Sequence, residues 1–190
     1  MINSFEDNSF NDYFSLFGEQ KNFNLNLSVV EKKRKELLQA VHPDRFSGGS
    51  DRERKLALQW TTKINEAFNV LKDPVQRAIY LCKVKGRVLD IEKSKTFSIE
   101  FLEEQMEMRE NLAKIAKVFH EDKFNPALVD EVESRASSML SKSVQVMTEL
   151  FSKNFSEDDE VLIKIEAQVN VCLFAQKFIL ECFEVRRKFV

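Results

Sequence analysis

VVEKKRKELLQAVHPDRFSGGSDRERKLALQWTTKINEAFNVLKDP, residues 29–74, holds two amphipathic helical patterns separated by a stretch that cannot be helical. In the first, Val30, Leu37, Leu38 and Val41 share one apolar stripe while Lys32, Lys33 and Lys35 occupy other faces. Pro43 ends it, because proline has no N–H to donate and its ring disfavours helical geometry at His42. After the glycine pair Gly48–Gly49, the second pattern runs from Asp51 to Lys72, with Leu56, Trp60, Ile64, Ala67, Phe68 and Leu71 at helical spacing. Asp73 and Pro74 stop it. The segment therefore predicts a helical hairpin whose connecting loop carries His42, Pro43 and Asp44.

Outward from this hairpin the pattern stays helical. The four Gly and three Pro of the chain all fall between apolar-periodic stretches, where they avoid the cost of about 1 and 3 kcal/mol that a helix interior would impose. Residues 1–11 read as a loose tail, and "DYFSLFG" (12–18) as one short helix ended by Gly18. Ser28, with Glu31 three residues on, reads as the N-cap of the basic helix. "VQRAIYLCKVK" reads as a short helix closing at Gly86, and the polar, weakly periodic stretch 87–96 as a linker. Residues 97–190 contain no glycine and carry three long apolar periodicities. Phe101, Met108, Leu112, Ile115 and Phe119 mark the first; Val129, Val132, Ala136, Met139, Leu140, Met147 and Leu150 the second. Leu162, Ile165, Val169, Cys172, Ile179 and Phe183 mark the third. Pro126 and "NFSEDDE" supply the turns, with Ser156 and the acids after it at a helix N-terminus. The expectation is an all-α protein, residues 12–86 forming one domain and residues 97–190 a three-helix bundle.

Composition narrows the function classes. Residues 1–90 carry 15 Lys+Arg against 12 Asp+Glu and residues 91–190 carry 14 against 19, so a net charge of −2 hides a mildly basic half and an acidic one. With a pI near 5.9, a protein whose main business is coating nucleic acid is not expected. Cys82, Cys172 and Cys182 show no C-x-x-C spacing and lie in apolar runs, which suits buried reduced thiols in a cytoplasmic setting. With His42 and His120 the only histidines, neither a metal site nor a nucleophile–base set assembles, and no cofactor is expected. No apolar run approaches the roughly 20 residues of a membrane span. The polar, acidic N-terminus is not expected to be a signal or transit peptide.

Two surfaces in the second half stand out. In "FSIEFLEEQMEMRENL" (97–112), Glu100, Glu103, Glu104, Glu107 and Glu110 form one acidic stripe, with Leu102 and Met106 beside it and off the core seam. Apolar residues flanked by acids read either as a solvated face or as an interaction patch. From Val171 to Val185 the last helix is apolar on nearly all sides, and Val171, Phe174 and Phe178 fall outside its seam. They are expected either to pack against the first domain or, for Phe174, to join Leu102 and Met106 in one exposed surface.

Taken together, "DYFSLFG", "VHPDRF" and "INEAFNVLKDPVQRA" resemble a J domain over residues 12–86. With "RAIYL" and "FLEEQMEMRENL" added, the chain resembles an HscB-type co-chaperone over nearly its whole length. The resemblance implies that the HPD loop and basic helix dock on an HscA/DnaK-class ATPase and stimulate it. The contacts would come from His42, Pro43, Asp44 and Arg45 with Lys32, Lys33, Arg34 and Lys35. It also implies that the bundle binds the iron–sulfur scaffold protein through Leu102, Glu103, Met106, Glu107, Glu110, Lys114 and Phe174. Three positions depart from the family's habit. Arg34 stands where J domains often carry an aromatic, Glu103 where relatives can carry an apolar residue, and Lys114 where they can carry an acid. The expected function is a non-enzymatic adaptor in iron–sulfur protein maturation; the alternative is a J protein with another client in general protein folding. Neither nucleic acid nor membrane is an expected partner.

Overall fold

The structure is a computed structural model that describes residues 12–91, 97–117, 125–153, 155 and 158–188. Among these every regular element is helical. The helices are α1 (Tyr13–Leu16), α2 (Leu27–Ala40), α3 (Asp51–Lys72), α4 (Pro74–Val84), α5 (Ile99–Lys117), α6 (Pro126–Phe151) and α7 (Asp159–Arg187), with one 3₁₀ turn at Pro43–Phe46. The chain divides into two compact units, Met1–Val88 and Leu89–Val190.

In the first unit the ends of the helices lie where glycine, proline and short polar side chains put them. Asp12 caps α1 by accepting from the Ser15 N–H at 2.9 Å, and Gly18, at φ 73°, lets the chain leave it. Ser50 and Glu53 form a capping box at the start of α3, which holds the Glu53 carboxyl below its ordinary range through the Ser50 N–H. Asp73 ends α3 and caps α4, whose first residue is Pro74. The start of α2 differs from the expectation. Asn26 is the cap, its side-chain oxygen accepting from the Ser28 and Val29 N–H groups, and Glu31 turns to Lys35 at 3.4 Å instead of closing a box on Ser28. An amide oxygen held by extended backbone at Asn26 reaches both free N–H groups, so the helix begins two residues earlier.

The core of this unit is built from Phe14, Phe23, Val30, Ile64, Leu71, Val75 and Leu81, all essentially inaccessible. Tyr13 stacks on Tyr80 with ring centroids 4.5 Å apart and donates from its hydroxyl to Glu66 at 2.8 Å. Burial, aided by that carboxylate, pushes the Tyr13 phenol up to about 12, so it stays a donor. Arg77 is buried, donates to the Leu71 carbonyl at 2.6 Å and lies over the Phe23 ring. It thereby satisfies a carbonyl in the last turn of α3.

The second unit is a three-helix bundle. Met108 and Leu112 of α5, Val129, Val132 and Ala136 of α6, and Phe174, Phe178 and Cys182 of α7 form its core cluster. Arg186, near the end of α7, reaches Asp130 and Glu133, near the start of α6, so these two helices run antiparallel. The seam expected for α7 needs correction. Leu162, Ile165, Val169 and Cys172 are buried, but Phe183 is exposed while Phe174 and Phe178 enter the core. A straight three–four seam keeps one face inward, whereas the covered face of α7 turns where α5 joins the bundle. The marker Phe119 and the cap candidate Ser156 lie outside the described residues. No described helix is long and apolar enough to cross a membrane, and no described group of three or more His, Cys, Asp or Glu could hold a metal.

The cap at α2 is testable by stability. Asn26→Ala is expected to cost about 1 kcal/mol and Ser28→Ala only a few tenths. Chemical denaturation of both variants checks this, and equal losses would restore Ser28 to the cap.

Candidate functional site

The loop at the tip of the hairpin is organised by its own backbone. Val41 closes α2, and His42, at φ −59° and ψ 130°, turns the chain into the 3₁₀ turn. The Asp44 N–H donates to His42 Nδ1 at 3.3 Å, and the Arg45 N–H donates to the His42 carbonyl at 3.0 Å. Because Nδ1 accepts, the neutral imidazole carries its proton on Nε2, which leaves that N–H for a partner. The Asp44 side chain is 90% exposed and lies 3.5 Å from His42 Nδ1. Its carbonyl accepts from the Ser47 hydroxyl at 2.9 Å. Arg45 folds back and donates to the Gln39 carbonyl at 3.2 Å, satisfying a carbonyl in the last turn of α2.

The four cations of α2 do not act alike. Lys32 is exposed and has no ion-pair partner among the described residues. Lys33 pairs with Glu36 at 3.2 Å and Lys35 with Glu31 at 3.4 Å; such exposed helix pairs are worth about 0.3–0.5 kcal/mol and exchange readily. Arg34 differs from the expectation of a steering charge. Its Nε and Nη2 donate to Asn65 Oδ1 on α3 at 3.1 and 2.8 Å, and its guanidinium lies 4.5 Å from the centre of the Phe68 ring. A planar guanidinium satisfies an amide edge-on and an aromatic face at once. Arg34 therefore clasps the two helices of the hairpin together.

On α5 the core face and the outward face lie on opposite sides. Ile99, Leu102 and Met106 recur at helical spacing on the side away from Met108 and Leu112. Ile99 is 71% exposed, Met106 64% and Leu102 44%. Glu103 and Glu110 edge this stripe, both exposed, and Lys114 meets Glu110 at 3.8 Å. Glu107 is held from α6: Arg135 Nη1 donates to it at 2.8 Å and Nη2 lies 3.7 Å from Glu104. The hydrogen bond from Arg135 pulls the Glu107 carboxyl below its ordinary range, and Glu107 raises Arg135 in return. Reading the sequence missed Ile99, which its spacing to Leu102 and Met106 could have revealed. It also missed Arg135, which only the pairing of α5 with α6 brings to the patch.

Phe174 is corrected. It is 8% exposed, meets Phe101 edge-on at 5.8 Å between ring centroids and lies under Arg109, whose guanidinium is 5.6 Å from its ring centre. It is not part of the exposed stripe. It supports α5 from beneath.

A helical hairpin whose His-Pro-Asp loop exposes His42 and Asp44, joined in one chain to a three-helix bundle, defines a J-domain co-chaperone. No protein-family model matches the chain, but individual proteins do. The HscB co-chaperone homologue of Shewanella halifaxensis is 32% identical over 166 residues, spanning 87% of this chain and 91% of its own. That of Bordetella avium is 38% identical over 128 residues, spanning 67% and 74%. The chaperone HscB of Vibrio cholerae superposes with a TM-score of 0.76 at 26% identity, covering 94% of this chain and 99% of its own. Human co-chaperone HscB, at 22% identity, has the same fold, with a TM-score of 0.77 over 96% of this chain and 84% of its own. The chain belongs to the HscB co-chaperone family.

The burial of Phe174 separates support from contact. Phe174→Ala is expected to destabilise the protein by about 3–5 kcal/mol, whereas Met106→Ala, a surface change, stays within about 0.5 kcal/mol. Urea unfolding followed by helical circular dichroism distinguishes them. Equally small losses would return Phe174 to the surface.

Proposed function

We propose that this chain is a two-ended adaptor that brings an iron–sulfur scaffold protein to an HscA/DnaK-class ATPase and stimulates that ATPase, promoting cluster transfer and protein maturation. The J domain, residues 12–86, docks on the ATPase through His42, Pro43, Asp44 and Arg45. Lys32, Lys33 and Lys35 steer the encounter with an acidic partner, and Arg34 holds the docking helix in place. The bundle, residues 97–190, receives the scaffold on Leu102 and Met106, with Ile99 extending the stripe and Glu103, Glu107 and Glu110 at its edge. Phe174 acts by holding α5. ATP hydrolysis belongs to the partner, and the cluster is cargo.

The observation that carries this reading is the stripe of Ile99, Leu102 and Met106, set opposite the core of its own unit and edged with carboxylates. Apolar side chains so far from the core contribute little to folding and suit a partner's surface. The loop is suited to its part in another way. Hydrogen bonds at His42, Asp44 and Arg45 fix its shape before docking, so little conformational entropy remains to be lost. Joining both surfaces in one chain raises the effective concentration of scaffold at the ATPase without any new contact.

Paired variants test the two ends. His42→Gln is expected to reduce ATPase stimulation to background while scaffold affinity, measured by calorimetry, is unchanged. Stimulation that survives would reduce the loop to a turn. The double change Leu102→Ala with Met106→Ala is expected to weaken scaffold binding by at least about tenfold, each anchor contributing about 1–2 kcal/mol, with stimulation by the scaffold-free chain intact. Unchanged affinity, with equal binding of unfolded clients, would favour a general folding role.

A further inference from the structure

A stripe of three side chains on one helix is narrow for a folded partner, since a stable interface covers roughly 800 Å² on each side. The partner must therefore also cover an element beside α5. Towards α6 the Arg135 clasp on Glu104 and Glu107 bars the way from Leu102 and Met106, and the groove beyond it, between Lys114 and Leu128, is the smaller one at about 220 Å³. Towards α7 it is open. Leu102, Met106, Arg109 and Ala113 follow one another at helical spacing and lead along α5 to the lip of a groove between α5 and α7. The groove encloses about 550 Å³, and Leu112, Ala113, Ala116, Leu180 and Val185 give it apolar walls. Leu180, on the far lip, is 64% exposed.

The charges around the groove are unevenly used. Arg109, Lys177 and Lys188 contribute positive charge, and none has an ion-pair partner among the described residues. Of the two carboxylates, Glu184 is held by Arg187 at 2.7 Å, which leaves Glu181. The groove thus offers apolar walls under a net positive rim, the reverse of the acidic edge along the stripe.

We infer that this groove is the second half of the scaffold-binding face. The partner that covers Ile99, Leu102 and Met106 inserts an apolar side chain against Leu180, and carboxylates beside that side chain face Lys177 and Lys188. The inference rests on the adaptor reading above and names the chemistry of its partner: an apolar anchor with acidic neighbours on the same surface as the group that meets the stripe.

Calorimetric titration of the full chain with the cluster-free scaffold protein tests this, with Met106→Ala run in parallel. Leu180→Glu is expected to weaken binding by at least about tenfold with its helical dichroism and unfolding midpoint retained, because the side chain is already exposed. Lys177→Glu is expected to weaken binding severalfold and to flatten its salt dependence. If Met106→Ala weakens binding and neither groove variant does, the groove is overturned and the adaptor stands. If none of the three changes affinity, the adaptor reading falls and the groove with it. If Leu180→Glu alters only the sedimentation behaviour of the free chain, a second copy occupies the groove and the inference is overturned.

Discussion

The contact between Phe174 and Phe178 of α7 and Met108 and Leu112 of α5 is the one on which the outward stripe of the bundle depends. Burying one large apolar side chain is worth roughly 1.5–3 kcal/mol, so this cluster holds α5 far more firmly than the ion pairs around it. A helix is a rigid rod, and gripping one face orients the opposite one. Ile99, Leu102 and Met106 point outward because Met108 and Leu112 point inward. The Arg135 fork then sets how much negative charge the stripe presents, leaving Glu103 and Glu110 as its freer carboxylates.

The first unit uses a different device for the same end. Its proposed docking residues sit on a short loop that a helical hairpin must hold at a fixed place. Core packing supplies the bulk of that support, through Val30 and Val41 on one side and Trp60, Ile64 and Phe68 on the other. Arg34 adds a polar clasp across the hairpin, to Asn65 and over Phe68. Within the loop, the His42 ring, the Ser47 hydroxyl and backbone groups of His42, Asp44 and Arg45 are joined by hydrogen bonds, so the shape that a partner meets exists beforehand.

Much of this was legible in the residues because the punctuation is sparse and unambiguous. Pro43, Pro74, Gly18 and Gly86 stand at the ends of elements, and the range from Asp51 to Lys72 was readable from its cap and its stop. Leu102 and Met106 could be placed outside the core from spacing alone. Other features depended on what lies across the fold. Two short polar residues compete to start α2, and backbone geometry at Asn26 decides between them. The inward face of α7 changes partway along, since which side is covered depends on whether α5 is present there; no periodicity of α7 itself records that. The roles of Arg34 and Arg135 follow from residues 31 and 28 positions distant, so both read as ordinary surface cations until the helices pair.

The outward stripe on α5 also bears on how such a protein tolerates its own adhesiveness. A surface made to hold another protein is a hazard when free, and in sheet proteins the hazard is compounded by unpaired strand edges that recruit further chains. Here the apolar groups are displayed on a helix, whose backbone donors and acceptors are spent within the helix itself. Adhesion can come only from side chains, which bind by shape and release without leaving an open ladder behind. The face is sticky, yet it offers nothing to propagate.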